Sequence, residues 1–347
     1  MLALVTGSTG FIGSQLCRGL LEAGWQVRAF HRPTSRLEAL EGLEVEYAAG
    51  DVTRPESLKP ALRGVEAVFH AAAMLGQPRR PESMYAVTVG GARNVLAAAV
   101  EAGVSRVVLT SSVAALGPPV ELDPAGSLAR ARPGGPSAWQ PEDFRLLDEN
   151  HTWNYRPEWW PYGHAKYLAE LEVQRAVASG LDCVIVNPAV VLGPGDINRV
   201  SGDIVIKTAQ RRVPAAVGGG LNVIHVRDVV RGHLAALERG RRGERYILSG
   251  ENLTVAGLLA LIAEEAGVPA PRLTLPARLV RPLAGPAVLL GRFLPLPLNG
   301  GILRRAGHNF WYDSTKAQRE LGLTGLLSSR QAIRDALQWY RQRGDLG

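Results

Sequence analysis

Short runs dominated by apolar or β-branched residues recur through the first half of the chain, at residues 2–5, 25–30, 45–48, 67–70, 106–110 and 182–186. A run with no polar face suits a strand covered on both sides. Between most of these runs lie amphipathic or Ala/Leu-rich stretches, at residues 11–23, 56–63, 82–102 and 163–179, whose spacing predicts helices. Such alternation predicts right-handed crossovers and an α/β fold, a doubly wound parallel sheet.

Two regions interrupt the pattern. Residues 118–160 are rich in Pro, Gly and Arg and lack sustained periodicity, so they read as a long loop or lid. After residue 190 the signals become irregular, with helix-like runs at 228–239, 255–266 and 329–343. The expected organisation is a first domain over residues 1–189, its sheet completed by about 223–249, and a smaller α+β substrate lobe from 190–222 and 250–347.

Composition narrows the class. The 347 residues are 46% hydrophobic and 20% charged, enough to bury a large core and unlike a disordered chain or a coiled coil. Cys17 and Cys183 are the only cysteines. They are too few for a disulfide framework or a Cys-rich zinc site and read as small apolar core groups. The first apolar run opens at the second residue with no basic segment before it and stops at Gly7, unlike a signal peptide. The apolar tract at 282–298 is cut by Gly285, Pro286, Gly291, Arg292, Pro295 and Pro297, so no integral membrane span is expected. The expectation is a soluble cytoplasmic protein.

The net charge of +7 raises the question of nucleic acid. Only four of the 39 basic residues are lysines, the arginines are scattered, and no basic stripe alternates with aromatics. A solvated basic surface is expected, with a small molecule and not a nucleic acid as partner.

Candidate chemistry begins at Thr6-Gly7-Ser8-Thr9-Gly10-Phe11-Ile12-Gly13, between the first strand and the first helix. The first glycine permits a tight turn, and the second lets backbone N–H groups approach a pyrophosphate. The third lets helix and strand pack closely. The spacing carries little alone, but its strand–turn–helix setting predicts dinucleotide binding and a Rossmann-type sheet. At the end of the second strand, about 20 residues further on, a carboxylate would hold the ribose of NAD. Here the chain reads Phe30-His31-Arg32-Pro33. Arg32, with Arg36 as a second candidate, favours a 2′-phosphate, so NADP(H) is the preferred cofactor. NAD(H) is the alternative, with Arg32 as ordinary surface. Asp51 either meets the adenine or caps the turn that follows it.

Tyr162-Gly163-His164-Ala165-Lys166 puts a phenol and an ammonium one turn apart on one helix face. A nearby ammonium lowers the pKa of a phenol, so Tyr162 can exchange a proton with a carbonyl or alcohol, with Ser112 as a hydroxyl for the substrate oxygen. The same spacing recurs at Tyr312 and Lys316. There Asp313-Ser314-Thr315 reads as a strand end and helix start, so that pair is read as structural. The Tyr162 pair instead follows Thr110-Ser111-Ser112 at a strand end, where ligand sites of α/β sheets gather.

Other residues have blander readings. Trp153, Trp159 and Trp160 form either an aromatic wall or the packing of the long loop. His70, His164, His225 and His233 lack metal-ligand spacing, and no metal is expected. The apolar stretch at 279–298 covers a greasy substrate, a membrane surface or the core of its own lobe.

TGSTGFIG, Asp51-Val52, His70-Ala71-Ala72-Ala73, Thr110-Ser111-Ser112, YGHAK and Asn187-Pro188-Ala189-Val190-Val191-Leu192-Gly193-Pro194-Gly195-Asp196 occur in the order seen in the extended short-chain dehydrogenase/reductases. Over residues 1–250 the chain resembles that group, the NAD-dependent epimerase/dehydratase family. The stretches at 243–248, 251–254 and 312–317 look like its dihydroflavonol 4-reductase-like branch, which also includes proteins labelled hopanoid-associated sugar epimerases. Carried over by position, the resemblance implies Ser112, Tyr162 and Lys166 as the catalytic set. It implies Gly7, Thr9, Gly10, Phe11 and Ile12 at the cofactor phosphates, and Asp51 and Val52 at the adenine. Ala71, Ala72, Ala73 and Thr110 would line the ribose path, with Tyr162 and Lys166 also on the cofactor, and Pro188 and Val190 the nicotinamide. A homodimer through helices flanking the sheet is also implied.

Two departures from the resemblance matter. A helix asparagine common in the family is Thr88 here, which puts a water relay through it in doubt. The arginine that grips a sugar diphosphate in nucleotide-sugar members is missing before Ile224-His225-Val226, leaving Arg199 or Arg227 as substitutes. The leading expectation is an NADP(H)-dependent oxidoreductase that reduces a carbonyl or oxidises an alcohol on a small organic substrate. A nucleotide-sugar epimerase or dehydratase with retained NAD(P) is the alternative. A redox-sensing NADP-binding protein is a third reading, although a sensor has no need of all three catalytic groups.

Overall fold

The computed structural model describes residues 1–75, 81–119, 146–290 and 300–346. From the N-terminus the chain runs β1 (Leu2–Thr6), α1 (Phe11–Glu22), β2 (Gln26–His31), β3 (Glu46–Ala49), α2 (Leu58–Ala61), β4 (Ala67–His70), α3 (Pro81–Tyr85), α4 (Gly91–Glu101), β5 (Arg106–Thr110), α5 (Pro161–Ala178) and β6 (Cys183–Pro188). It continues with β7 (Val190–Leu192), α6 (Asp203–Ala209), β8 (Ala215–Val217), β9 (Gly220–His225), α7 (Val226–Arg239), β10 (Arg245–Leu248), β11 (Glu251–Thr254) and α8 (Val255–Ala266). The last elements are β12 (Leu273–Leu275), α9 (Ala277–Val280), α10 (Ala284–Leu290), α11 (Gly300–Arg304), α12 (Thr315–Leu321) and α13 (Ser329–Gln342).

Seven parallel strands form the main sheet in the order β3-β2-β1-β4-β5-β6-β10. The order reverses between β1 and β4, the switch point at whose carboxyl ends such sheets open a crevice. Every residue of β4 and β6 is buried, as expected for apolar runs with helices on both faces. On one face α1 and α7 bury Leu16, Leu20, Val229 and Ala236. On the other, α2, α4 and α5 bury Leu58, Val95, Leu96 and Val173. Each such side chain contributes about 1.5–3 kcal/mol when fully removed from water.

Local chemistry explains where helices depart from expectation. The helix expected over 56–63 shortens to α2, because Pro55 opens a 3-10 turn and Pro60 lacks the N–H a longer helix would use. The helix expected over 82–102 is broken by a π turn at Ala86–Gly90. Thr88 lies in that turn, and its hydroxyl accepts from the Met74 N–H at 3.2 Å, tying the chain after β4 to the turn.

The second half is less separate than its sequence suggests. β10 joins the main sheet beside β6, but β9, with residues 223–225, pairs with β7 and β11 in a three-stranded sheet. α12 returns to α7 and β10 and places Ala317 and Leu321 in the core of the first domain. The boundary expected at residue 250 is therefore crossed by packing. α6, α8 and α13 cover the small sheet and bury Val205, Leu258, Ile262 and Ile333. Of the lid expected over 118–160, residues 120–145 lie outside the described residues. Within 146–160, Leu147 bridges to Tyr312 and fastens this part to the lobe.

Candidate active site

β1 ends at Thr6, and the chain turns through Gly7 at φ +67° before α1 begins at Phe11. A Cβ on Gly7 would come within 2.7 Å of the Ala72 nitrogen, and one on Gly13 within 2.1 Å of the Gly7 carbonyl oxygen. Only glycine lets the turn, the end of β4 and the first turn of α1 approach so closely. No side chain caps the start of α1, and its first turn holds no acid. Its backbone N–H groups and the positive end of the helix dipole are therefore available to an anion. These donors fit a dinucleotide pyrophosphate.

A cleft of about 690 Å³ runs from this turn across the sheet ends. It is lined by Gly7, Thr9, Gly10, Phe11, Ile12, Arg32, Asp51, Val52, Ala71, Ala72, Ala73, Thr110, Ser112, Tyr162, Lys166, Pro188 and Val190. These candidates thus face one cavity, of a size usual for small-molecule sites, whereas Arg36 is not in its lining. Arg32 is exposed on its rim, with Ser35 also in the lining and no carboxylate at the end of β2. Asp51 does serve as a turn cap, its Oδ1 accepting from the Thr53 N–H at 2.9 Å and the Thr53 hydroxyl at 2.8 Å.

The candidate reactive groups come from β5 and α5. Ser112 follows β5 in extended conformation, and its Oγ accepts from the Ala114 N–H at 3.2 Å at the start of a 3-10 turn. Tyr162 and Lys166 stand one turn apart at the start of α5, which Pro161 opens. The Lys166 Nζ donates to the Thr110 carbonyl at 2.7 Å. Burial pulls its ammonium down to about 8, against the opposing pull of Glu170. The Tyr162 phenol is pushed up by burial and drawn back down by its hydrogen bond with Ser112. Burial also pulls His70 down to about 3, with the Lys166 charge adding to it, and His70 Nδ1 shares a 2.7 Å hydrogen bond with the Thr6 hydroxyl.

Beneath these groups lies a buried polar network that sequence reasoning missed. Glu170 Oε1 accepts from the Ser111 hydroxyl at 2.5 Å and from Asn187 Nδ2 at 2.6 Å. Its Oε2 accepts from Arg245 Nη1 at 3.1 Å, and Asn187 Nδ2 also donates to the Ser112 carbonyl at 2.9 Å. Arg245 in turn donates to the carbonyls of Glu149 and His151. One carboxylate therefore joins the backbone of Ser112, the helix of Tyr162 and the chain preceding Trp153. Its sequence signal was the Tyr162, Lys166, Glu170 spacing, three residues on one helical face.

The far end of the cleft is aromatic and basic. Trp160 and Phe310 meet edge to face at 5.7 Å, and the Arg305 guanidinium lies 4.3 Å above the Trp160 ring. Burial pulls Arg305 down to about 10, and its Nη1 has no hydrogen-bond partner among the described residues. Nothing in the sequence distinguished Arg305 from its many neighbours of the same type. Arg199 is held by Asp345 at 2.6 Å, and neither it nor Arg227 lines the cleft, so the two suggested diphosphate contacts do not stand there. Trp153 packs against His164 and Tyr167, and Trp159 lies between Arg156 and Arg304, which leaves Trp160 as the tryptophan of the wall. Tyr312 is buried and touches the cleft, whereas Lys316 donates to Glu244 at 2.6 Å and to the Arg245 carbonyl at 2.8 Å. That second pair does not act as one unit.

Comparison with known proteins shows the family. The sequence profile of the NAD dependent epimerase/dehydratase family matches residues 3–249. A Synechocystis protein carrying a provisional dihydroflavonol 4-reductase name is 39% identical over 98% of this chain and 94% of its own. A Stigmatella aurantiaca protein named 4-hydroxy-2-methyl-3-oxo-4-farnesyl-3,4-dihydroquinoline-1-oxide ketoreductase is 30% identical over 100% of this chain and 98% of its own. The crystal structure of a nucleoside-diphosphate-sugar epimerase from Pseudomonas aeruginosa superposes with a TM-score of 0.78 at 28% identity, covering 100% of this chain and 99% of that one. The chain belongs to the NAD dependent epimerase/dehydratase family and is an NAD(P)-dependent enzyme of the extended short-chain dehydrogenase/reductase type.

Proposed function

We propose that the protein is an NADP(H)-dependent reductase of a carbonyl on a small organic substrate, acting in reverse on the corresponding alcohol. The observation that carries this reading is the convergence of Ser112, Tyr162 and Lys166 on a cleft that continues from the glycine turn to an aromatic wall. Ser112 would hydrogen-bond the carbonyl oxygen, and Tyr162 would give it a proton as the carbonyl carbon is reduced. Lys166, one turn on, supports a phenolate through its charge and would reach the cofactor ribose. The bound nicotinamide supplies the hydride equivalent. Arg32 on the rim, with no carboxylate at the end of β2, supports a 2′-phosphate and hence NADP(H). The apolar wall of Trp160, Phe310 and Leu221 supports a substrate with an apolar body, as does the farnesyl-bearing compound in the name of the Stigmatella relative. The cytoplasm is the compartment in which this reading places the enzyme, as a homodimer through helices flanking the sheet.

A second reading, nucleotide-sugar epimerisation with retained cofactor, is favoured by Arg305, whose free donor suits a phosphate, and by the Pseudomonas structure. One experiment separates the two. The nicotinamide released from freshly purified, denatured protein is identified and quantified, and Tyr162→Phe is assayed on carbonyl panels. Substoichiometric NADP(H) that dialyses away, with turnover lost by about 100- to 10,000-fold in Tyr162→Phe and cofactor affinity retained, is expected. Near-stoichiometric NAD that does not exchange would overturn the reductase reading in favour of the epimerase.

A further inference from the structure

From Glu265 to Asp313 the intervening sequence holds six arginines and no Asp or Glu. Its described part folds as β12 and the helical run α9–α10, against which α11 packs. The inner side of this unit buries Val280, Ala284, Leu303 and Ala306. Its outer side is also apolar: Leu273, Leu279, Leu283 and Ile302 are 56%, 62%, 57% and 44% exposed. Leu279 and Leu283 are one helical turn apart, and Arg272 and Arg278 are exposed beside them with no ion-pair partner among the described residues. The acids that precede this segment, Glu264 and Glu265, are taken by Arg330 and Arg334. A helix apolar on both sides, with one side uncovered, is a contact surface.

We infer that this face docks on the surface of an anionic lipid bilayer. The leucines suit the acyl region and the arginines the anionic headgroups, the pairing by which amphipathic segments lie in the interface. A nucleic acid would use the arginines and leave the leucines in water. None of the described helices is long and apolar enough to cross a membrane, so the face lies on the bilayer. The same unit supplies Arg305 to the cleft and Phe310 follows it, so a docked face would back onto the cleft wall and bring a lipid-soluble substrate near. The inference is independent of which reaction the cleft performs.

Flotation of the whole protein with vesicles tests it. Vesicles of phosphatidylcholine alone are compared with phosphatidylcholine mixed with phosphatidylglycerol, at low and raised salt. The protein is expected to float with the mixed vesicles and to be partly released by salt. Leu279→Ser combined with Leu283→Ser should reduce partitioning by about tenfold or more while keeping the parental melting curve and nicotinamide affinity. Arg272→Glu combined with Arg278→Glu should remove the preference for anionic vesicles. No flotation, flotation equal on neutral vesicles, or flotation unchanged in the leucine variant would overturn the inference, the last because it would reflect adsorption of a basic chain at large.

Discussion

Glu170 does not line the cleft, yet it ties down the backbone of the candidate site. Its two oxygens take three donors, one of them the Arg245 guanidinium, and the side chains of this ion pair are only 6% and 18% exposed. Replacing it by Gln leaves one acceptor for three donors and a half-satisfied buried arginine. Arg245 keeps its bonds to the Glu149 and His151 carbonyls, so the loss should lie near the lower end for a broken buried pair, about 2–4 kcal/mol. Glu170 also raises Lys166, which burial pulls down to about 8. Without that charge the ammonium is lost at lower pH. The alkaline limb of kcat/KM for Glu170→Gln should therefore move to lower pH by about one unit. An unmoved limb would mean that Glu170 is structural only.

At the scale of elements, the cleft depends on how closely α1 meets β1. Alanine is ordinarily the better helix residue by about 1 kcal/mol, and Gly13 lies inside α1. Even so, its Cβ would stand 2.1 Å from the Gly7 carbonyl oxygen, which is backbone and cannot rotate away. Gly13→Ala is expected to cost about 1–3 kcal/mol of stability and to weaken nicotinamide binding, both readable from thermal melts with and without cofactor. A gain in stability would show that the strand–helix approach is looser than described. The elements themselves were largely legible. Each of the six expected strands lies in the main sheet; burial on both faces writes itself into a local run in β4 and β6, whereas the edge strand β3 is mostly exposed. Breaks came where one residue type overrode periodicity, as at Pro60, or where a turn gained a residue, as at Ala86–Gly90.

Across the whole molecule, two histidines are buried uncharged. His70 is pulled down to about 3 and His233 to about 4, chiefly by burial. In the unfolded chain both titrate near 6.5. Below that pH the unfolded state binds protons that the folded state refuses, so their contribution to stability is complete above about pH 6.5 and falls as pH drops toward 4. Each histidine should remove about 1.4 kcal/mol per pH unit within that window. Calorimetry should show Tm falling from pH 6.5 to pH 4, with a shallower fall in His233→Asn. A Tm insensitive to acid in that range would contradict the neutral burial of both rings.

Much of the candidate site could be read along the chain. The glycine turn and the Tyr162–Lys166 face are set by spacings of a few residues, and helix and strand geometry turns such spacings directly into positions. The helical runs of α7, α8 and α13 were visible for the same reason. What stayed hidden depends on partners far apart in sequence. Arg245 meets Glu170 across 75 residues, and Arg305 finds the face of Trp160. β9 chooses β7 and β11 over the main sheet, and α12 returns to α7. No local pattern specifies such pairings, since each is selected by which surfaces remain to be covered once the sheet and its helices have packed. Periodicity and spacing thus prescribe the elements and the candidate pair of Tyr162 and Lys166, while the packed chain assigns the buried charges and the wall opposite them.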